Sequence, residues 1–533
     1  MPFIYLYGGG QRKPSPRLNL INSERRQKMV SVNTNIASVD ARNSLMGNNV
    51  TMDKAFERLS SGKRINNAGD DAAGLQIANN LTSQINGLKM ASKNAGDGIS
   101  LVNTVDGALS EATDILQRMR ELAVQSASDT NSGQDRVFIQ DEINALNTEL
   151  NRISSTTQFN GVNVLDGTFG DISLQVGYDP SQTVNMSVNS SDTATLGAYQ
   201  DTSTVETLAV VDTYALATAG LTAVIVDAAD YTVSGFFGSD TAYIGAEAGA
   251  RDVAAAFNLI AGNTGINATA ETRARLTVSA AATLTFDLYG KSSTKSSVTA
   301  VISDTSDLSN LKDAINAVSG STGITATLTS DKAGVNIINP EGYTIYFADV
   351  TAAGGTDADL QVANLTYDAA GAETTANQVA MKGDATTDDS TYVLGQVTLS
   401  SDKAFALKSG NAANHFATDT SLQTSALSQL GDINLKNIHG AQKALAIIDK
   451  AINMVDTTRA TMGALNNRLE STINNLNNIQ VKTEASLSRI MDADYAEETT
   501  SLSKSQVLTQ AATAMLAQAN QAPQGVLRLL QAG

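Results

Sequence analysis

The chain has no cysteine and no tryptophan, only two histidines, and only six prolines in 533 residues. Without thiols, neither a disulfide framework nor a thiolate metal site can form, so stability has to come from packing and assembly. His415 and His439 each stand alone, with no second histidine four residues on and no acidic cluster beside them. A catalytic zinc needs three protein ligands, which this sequence does not supply. A Gly-x-Ser-x-Gly elbow, a Walker phosphate loop and a D-x-D-x-D-G calcium loop are also missing, and the lone "YGGGQRK" lacks a strand-to-helix setting. No apolar run approaches the ~20 residues of a membrane helix, so no membrane insertion is expected. The net charge of −18 and pI near 4.6 argue against nucleic acid as a partner, because phosphate neutralisation needs clustered Lys and Arg. No catalytic, cofactor-binding or metal-binding residue is expected, and the chain reads as a soluble structural protein rather than an enzyme.

What is present divides by periodicity and charge. Residues 1–28 hold three of the six prolines and carry +5, with Arg12, Lys13, Arg17, Arg25, Arg26 and Lys28 against Glu24. The apolar run "FIYLY" there is too short for a secretory signal and has no small-residue cleavage pattern behind it. "ERR", two codons upstream of Met29, can be encoded by a purine-rich, ribosome-binding-like stretch. Met29 is therefore expected to be the true start and 1–28 a non-native leader.

From 29 to about 156 apolar residues recur at three and four. Val32, Ile36, Val39, Leu45, Met52, Phe56 and Leu59 form a weak stripe that stops at Gly62, suited to the left-handed position after a helix. Leu81, Ile85, Leu88, Ala95, Ile99, Val102, Leu109, Ala112, Leu116, Met119 and Ala123 then keep one seam through six heptads, with Ser92 and Asp106 on the same stripe. This spacing predicts a left-handed coiled-coil contact. After "SDTNSGQD", Ser132 and Asp135 suit a capping box opening a shorter fold-back helix through Ile139, Ile143 and Leu150. At the other end Ile438, Ala441, Leu445, Ile448, Ile452, Val455, Met462, Leu469, Leu476 and Ile479 form a matching seam, followed by a last helix from about 486. The outermost helices have diluted stripes, gain little from propensity alone, and are expected to order on partners.

Between about 200 and 420 short alternating segments such as "ATLTFDLYG", "GYTIYFADV" and "STYVLGQVTLS" predict β-rich domains. "FNLIAGNTGINAT" from Phe257 aligns without gaps to "INAVSGSTGITAT" from Ile315, each copy reading as short helix, glycine turn and strand. The fold class is therefore α+β multidomain, with long antiparallel coiled-coil helices from both termini around a β-rich central insert. The expected divisions are 29–70 (helix and spoke), 71–200 (coiled coil with β-hairpin), 201–425 (outer domains), 426–485 (C-terminal coiled-coil helix) and 486–533 (last helix).

The stretches "VNTNIASVDARNSL", "ERLSSGKRINNAGDDAAGLQIAN", "LQRMRELAVQSASDT", "QFNGVNVLDG" and "SRIMDADYAEETTSLSKSQVLTQAATAMLAQANQAPQGVLRLL" closely resemble bacterial flagellin, in the right order and at both termini. The segment from "DLSNLKDAINAV" to "NIINPEG" looks like a unit that recurs in flagellin inserts. The resemblance implies a homopolymer, the helical flagellar filament, with the two ends pairing as coiled coils that form the inner tubes, so that the seams from Leu81 to Leu116 and from Leu445 to Leu476 are expected to serve polymerisation, and with the insert facing solvent. It further implies type III export with an export chaperone, growth under a cap protein, attachment to hook-associated junction proteins, and an extracellular location on the flagellum. A chain without disulfides and with few X-Pro bonds suits unfolded passage and fast refolding.

In the "RELAVQSA" type of flagellin one helix face is what an animal Toll-like receptor reads. Arg118 and Leu122 match that motif's arginine and leucine, Glu142 in "IQDEIN" matches its acidic partner, and Met119 occupies the motif's central position. By helical spacing, Arg118 and Leu122 are expected on a face adjoining the seam. Two other functions remain open at this stage, a hook–filament junction protein and a surface binder of polysaccharide or host tissue acting through the insert.

Overall fold

The computed structural model describes residues 34–203, 210–212, 229–245, 248–292, 294–353, 359–367, 373–382, 389–410, 416 and 421–531. The leader, Met29, Val32 and His415 lie outside the described residues, as does most of the segment before residue 229. The chain divides into two compact units, one made of the stretch up to Lys89 with Asn477 onward, the other of Met90–Leu476.

In the first unit α1 (Ile36–Ser61) runs antiparallel to α9 (Tyr495–Gln531). Asn35 starts α1 by accepting from the Ser38 N–H, and Gly62 ends it at φ +69° with its N–H on the Arg58 carbonyl, the left-handed cap the sequence indicated. The two helices are tied at both ends. Asn35 Nδ2 donates to the Ala519 carbonyl at 2.7 Å, and Arg58 Nη1 to Glu498 Oε1 at 2.9 Å. Near the Gly62 turn, Arg64 N–H donates to the Met491 carbonyl and Ala493 N–H to that of Gly62.

The C-terminal boundary differs from expectation. Helix α8 (Ile438–Met491) continues past 485, and the break falls at Asp492–Asp494. Asp494 Oδ1 then accepts from the Ala496 and Glu497 N–H groups, which restarts the chain as α9. The signal was in the sequence, an Asp with Glu three residues later, the composition of an N-terminal cap.

The second unit holds the seam residues from Ala95 to Ala123 and from Ile438 to Leu476. Helix α2 (Ala72–Ser126) lies antiparallel to α8, with Arg120 Nε on Asp449 Oδ1 at 2.6 Å near one end and Asn466 Nδ2 on Asn103 Oδ1 at 3.3 Å further along. Gly98 leaves room for its neighbours, since a Cβ there would lie 2.7 Å from Leu174 and 3.2 Å from Leu469. Asp106, the polar interruption of the first seam, is held by Arg459 Nε at 3.0 Å. Helix α3 (Gly133–Thr156) opens on the Ser132–Asp135 capping box and folds back over α2. Arg136, buried, anchors the loop by donating to the Ser126 and Ser128 carbonyls. Two small hairpins follow, β1 (Gln158–Phe159) with β2 (Val162–Asn163) and β3 (Asp171–Gln175) with β4 (Thr183–Ser187).

The insert is rooted by β5 (Gly197–Thr202), which pairs antiparallel with β21 (Ala426–Gln429), so its base starts a few residues outside the expected 201–425. It contains two lobes, each with its own core. In the first, β7 (Ala229–Ser234) and β8 (Ser239–Ile244) form a four-stranded sheet with β19 (Ala406–Ser409) and β20 (Leu422–Thr424), packed on α4 (Ala250–Leu259). Tyr231, Phe257 and Phe416 stack there with ring centroids 5.6–5.9 Å apart. In the second, β10 (Ala282–Tyr289), β11 (Ser296–Ile302), β14 (Ile345–Ala353), β17 (Asp389–Val393) and β6 (Val210–Asp212) form a five-stranded sheet, and α6 (Ser309–Ala317) packs on this lobe.

Strand β9 (Asn267–Val278) joins the lobes. Its first half pairs with β18 (Gln396–Ser401), and its second half with β13 (Val335–Asn339) and β15 (Leu360–Tyr367). The sheet is extended by β12 (Thr325–Leu328) beside β13 and by β16 (Glu373–Met381) beside β15.

The sequence repeat is a structural repeat. In each copy the helix ends in a further turn, α5 (Ala261–Thr264) or α7 (Ser319–Thr322), stopped by a left-handed glycine, Gly265 at φ +78° or Gly323 at φ +69°. The shared asparagine clamps the following strand. Asn258 donates to the Ala268 carbonyl and accepts from its N–H, both at 2.9 Å, and Asn316 does the same to Ala326 at 2.9 and 2.8 Å.

Candidate functional site

Two surfaces can serve a structural protein, apolar faces that other copies cover and a recognition patch. The first lies on the terminal helices. Ala55 is the buried residue of α1, while Ile36, Val39, Met46, Val50 and Phe56 remain exposed beside α9. On α9, Val507, Leu508 and Met515 are likewise in solvent; Met46 is 63% and Met515 65% exposed. Burying one such side chain fully stabilises by roughly 1.5–3 kcal/mol, so an extended row of them is a strong site for association. The physical cause is length and composition. A two-helix pair has too little interior to cover both stripes, which Asn and Ser dilute.

The coiled-coil seam is already filled within the chain. Ile85, Leu88, Val102, Leu109, Leu116, Ile448, Val455, Leu469 and Leu476 are buried, and Leu81, Ile99, Leu445 and Ile452 are partly buried. Val102, Leu109, Leu116, Ile448, Val455 and Leu469 belong to the second unit's core, and Ile99, Leu445 and Ile452 pack against it.

The recognition patch is only partly as expected. Arg118 Nε and Nη2 donate to Glu142 Oε1 at 2.9 and 2.7 Å, and Nη1 donates to Glu121 Oε2 at 3.1 Å. All three side chains are substantially exposed. Its hydrogen bonds to Glu142, then to Glu121, hold the Arg118 guanidinium above its ordinary pKa. Leu122, in contrast, is 2% exposed and belongs to the helical core, so it does not project from an adjoining face. The reason is a second partner. Leu101, Val105, Leu122 and Ser126 flank the expected seam, and that flank packs within the same core as Ile139, Ile143 and Leu150 of α3. Val124 and Phe138 are the exposed apolar side chains of this region and carried no signal in the helical spacing.

The histidine left by the sequence reading is buried. His439 opens α8, and its Nδ1 lies 4.0 Å from Glu271 Oε1 on β9. Burial, then the charges of Arg273 and Lys443, push its pKa down to about 2, so it is neutral at ordinary pH.

Three family models match the chain: the bacterial flagellin N-terminal helical region over residues 32–170, the C-terminal helical region over 445–530, and the flagellin hook IN motif over 283–339. The B-type flagellin of Pseudomonas aeruginosa is 39% identical over 503 residues, spanning 94% of this chain and 100% of the relative. Flagellin B of Vibrio cholerae serotype O1 is 34% identical over 504 residues, spanning 94% and 99%. Among solved structures, FliC from Burkholderia pseudomallei aligns over 70% of this chain and 99% of its own, at 18% identity and a TM-score of 0.27.

Proposed function

That this chain belongs to the bacterial flagellin family, and is a structural subunit of the flagellar filament, is the premise from which we propose that its terminal helix pair forms the polymer contact. The observation that carries this is the exposed apolar row on α1 and α9, beside seams that are already closed. Neighbouring copies cover Met46, Phe56, Val507 and Met515, while the insert lobes, each with its own core, stay outside the contact. Growth under a cap protein, a junction with hook-associated proteins, and secretion by the type III route with an export chaperone complete the reading. The absence of cysteine and the scarcity of proline support unfolded export. The relatives that match end to end are named flagellins, which favours the filament over a hook–filament junction role.

Receptor recognition is the second part of the proposal. Arg118 and Glu142 present a planar guanidinium–carboxylate pair at the surface, and arginine is a residue type favoured at interface hot spots. Leu122 serves this face from beneath, by fixing α2 against α3. Signalling by monomer through the flagellin-sensing Toll-like receptor tests it. Arg118→Ala with Glu142→Ala is expected to cut the response at least tenfold with pelleting of filaments little changed, and an unchanged response rejects the assignment.

A further inference from the structure

The two copies of the insert repeat act as controls for each other, and they differ at one corner. In the second copy Lys291 covers the Gly323 turn, its Cβ 3.3 Å from where a glycine side chain would start, and its Nζ pairs with Glu341 at 2.8 Å. In the first copy the corner is "GFFG". The Phe237 ring lies on Gly265, 2.9 Å from the corresponding point, and stands edge-on to Phe236 with centroids 5.5 Å apart. A solvated lysine meets the folding requirement of this corner, as the second copy demonstrates. Yet Phe236 is 67% and Phe237 70% exposed, an arrangement that hydrophobic burial opposes.

Phe237 forms one wall of a cleft of about 540 Å³, whose opposite wall is the α8 face carrying Lys450, Asn453, Asp456 and Thr457. Asn267 and Asp402 line the same side as Phe237. The Thr457 hydroxyl is committed to the Asn453 carbonyl at 2.7 Å. Among the described residues, the side chains of Asn267, Asp402, Lys450, Asn453 and Asp456 make no hydrogen bond or ion pair, so five polar groups converge with their capacity unused.

The geometry points to a binding site for a short neutral oligosaccharide, with Phe237 as the stacking platform and Asn453, Asp456, Asn267 and Asp402 as hydroxyl partners. The negative face of an aromatic ring attracts the slightly positive C–H face of a sugar ring. Amide and carboxylate side chains each offer two adjacent polar atoms, the arrangement that neighbouring sugar hydroxyls engage. Two carboxylates against one lysine disfavour a polyanionic glycan. The volume lies within the roughly 300–1,000 Å³ of small-molecule sites, and the open shape suits a chain passing through.

The test uses the full-length monomer with maltotriose and N,N′,N″-triacetylchitotriose, read by saturation-transfer NMR and calorimetry. Binding of at least one sugar with Kd of about 0.1–1 mM is expected. It should weaken at least tenfold in Phe237→Ala and in Asn453→Ala/Asp456→Ala, and persist in Lys291→Ala. These positions are exposed, and unchanged thermal midpoints verify folding. No transfer to either sugar at about 10 mM, or equal binding by both cleft variants, overturns the site. Binding of heparin alone overturns the neutral class. Loss of filament pelleting in Phe237→Ala with sugar binding retained assigns the cleft to a contact between copies, and overturns the proposal as well.

Discussion

Arg58 Nη1 lies 2.9 Å from Glu498 Oε1, joining α1 to α9 across 440 residues of sequence, with Glu498 buried in the monomer. Removing the arginine leaves a poorly solvated carboxylate. Arg58→Ala is expected to loosen the helix pair by about 1–3 kcal/mol. The change should appear as faster hydrogen exchange near Gly62 and a lower filament dissociation temperature. Equal exchange in the variant would show that the pair contributes nothing.

His439 gives the second expectation, acid sensitivity. Its folded pKa, about 2, lies below its ordinary 6.5, so the unfolded chain takes the proton first. Stability is full above about 6.5 and falls as pH drops, by up to about 1.4 kcal/mol per pH unit. Glu271, the carboxylate nearest it, is already paired with the buried Arg273. Relative to the wild type, His439→Gln should lose less thermal stability between pH 7 and 4.5. Parallel midpoint curves would contradict the assignment.

Asp201 works in the opposite direction. On β5 its Oδ2 is buried without a hydrogen-bond partner, and burial raises its pKa from 3.8 to about 6. Here the folded state holds the proton more tightly, so the contribution is full below about 4 and lost as pH rises through 6. Asp201→Asn removes the buried charge and should stabilise the insert base by on the order of 2 kcal/mol at pH 7.5, with little gain at pH 4. Denaturant midpoints at the two pH values decide, and a gain independent of pH would refute the cause given.

The paired clamps give a fourth. Asn258→Ala and Asn316→Ala each strand a buried backbone N–H and carbonyl, and each should cost its own lobe about 2–4 kcal/mol. Because the cores are separate, the unfolding of the other lobe should barely move, which limited proteolysis of each variant will reveal. Equal loss in both lobes would mean that they fold as one.

Much of this was legible in the sequence. The seam from Leu81 to Ala123, the Ser132 cap, the Gly62 stop and the internal repeat all express local periodicity, which a helix or turn reads directly. Leu122 is buried although the spacing puts it off the seam, because spacing reports one buried stripe whereas α2 is covered on two sides once α3 folds back. Helix α8 runs to Met491, beyond the expected division at 485, because the Asp494 and Glu497 cap sets the break, whereas the seam residues thin out after Ile479. Phe236 and Phe237 could not be told from strand core by composition. Their exposure follows from the turn between β7 and β8, where Gly235 N–H donates to the Gly238 carbonyl and both rings fall outside the alternation. The partners of His439 come from β9, far away in sequence, so no local pattern could name them.

Seeded sedimentation of two altered chains tests the division of labour between ends and insert. The first lacks residues 206–420, a cut that the antiparallel β5–β21 pair can close, since Gln200 already faces Ala426. The second keeps the insert and carries Met46→Asp with Met515→Asp on the exposed row. If the terminal helices make the polymer, the first pellets as filaments after seeding and the second remains in the supernatant with its helix content intact. A soluble first chain, or a second that still pellets, would contradict the account.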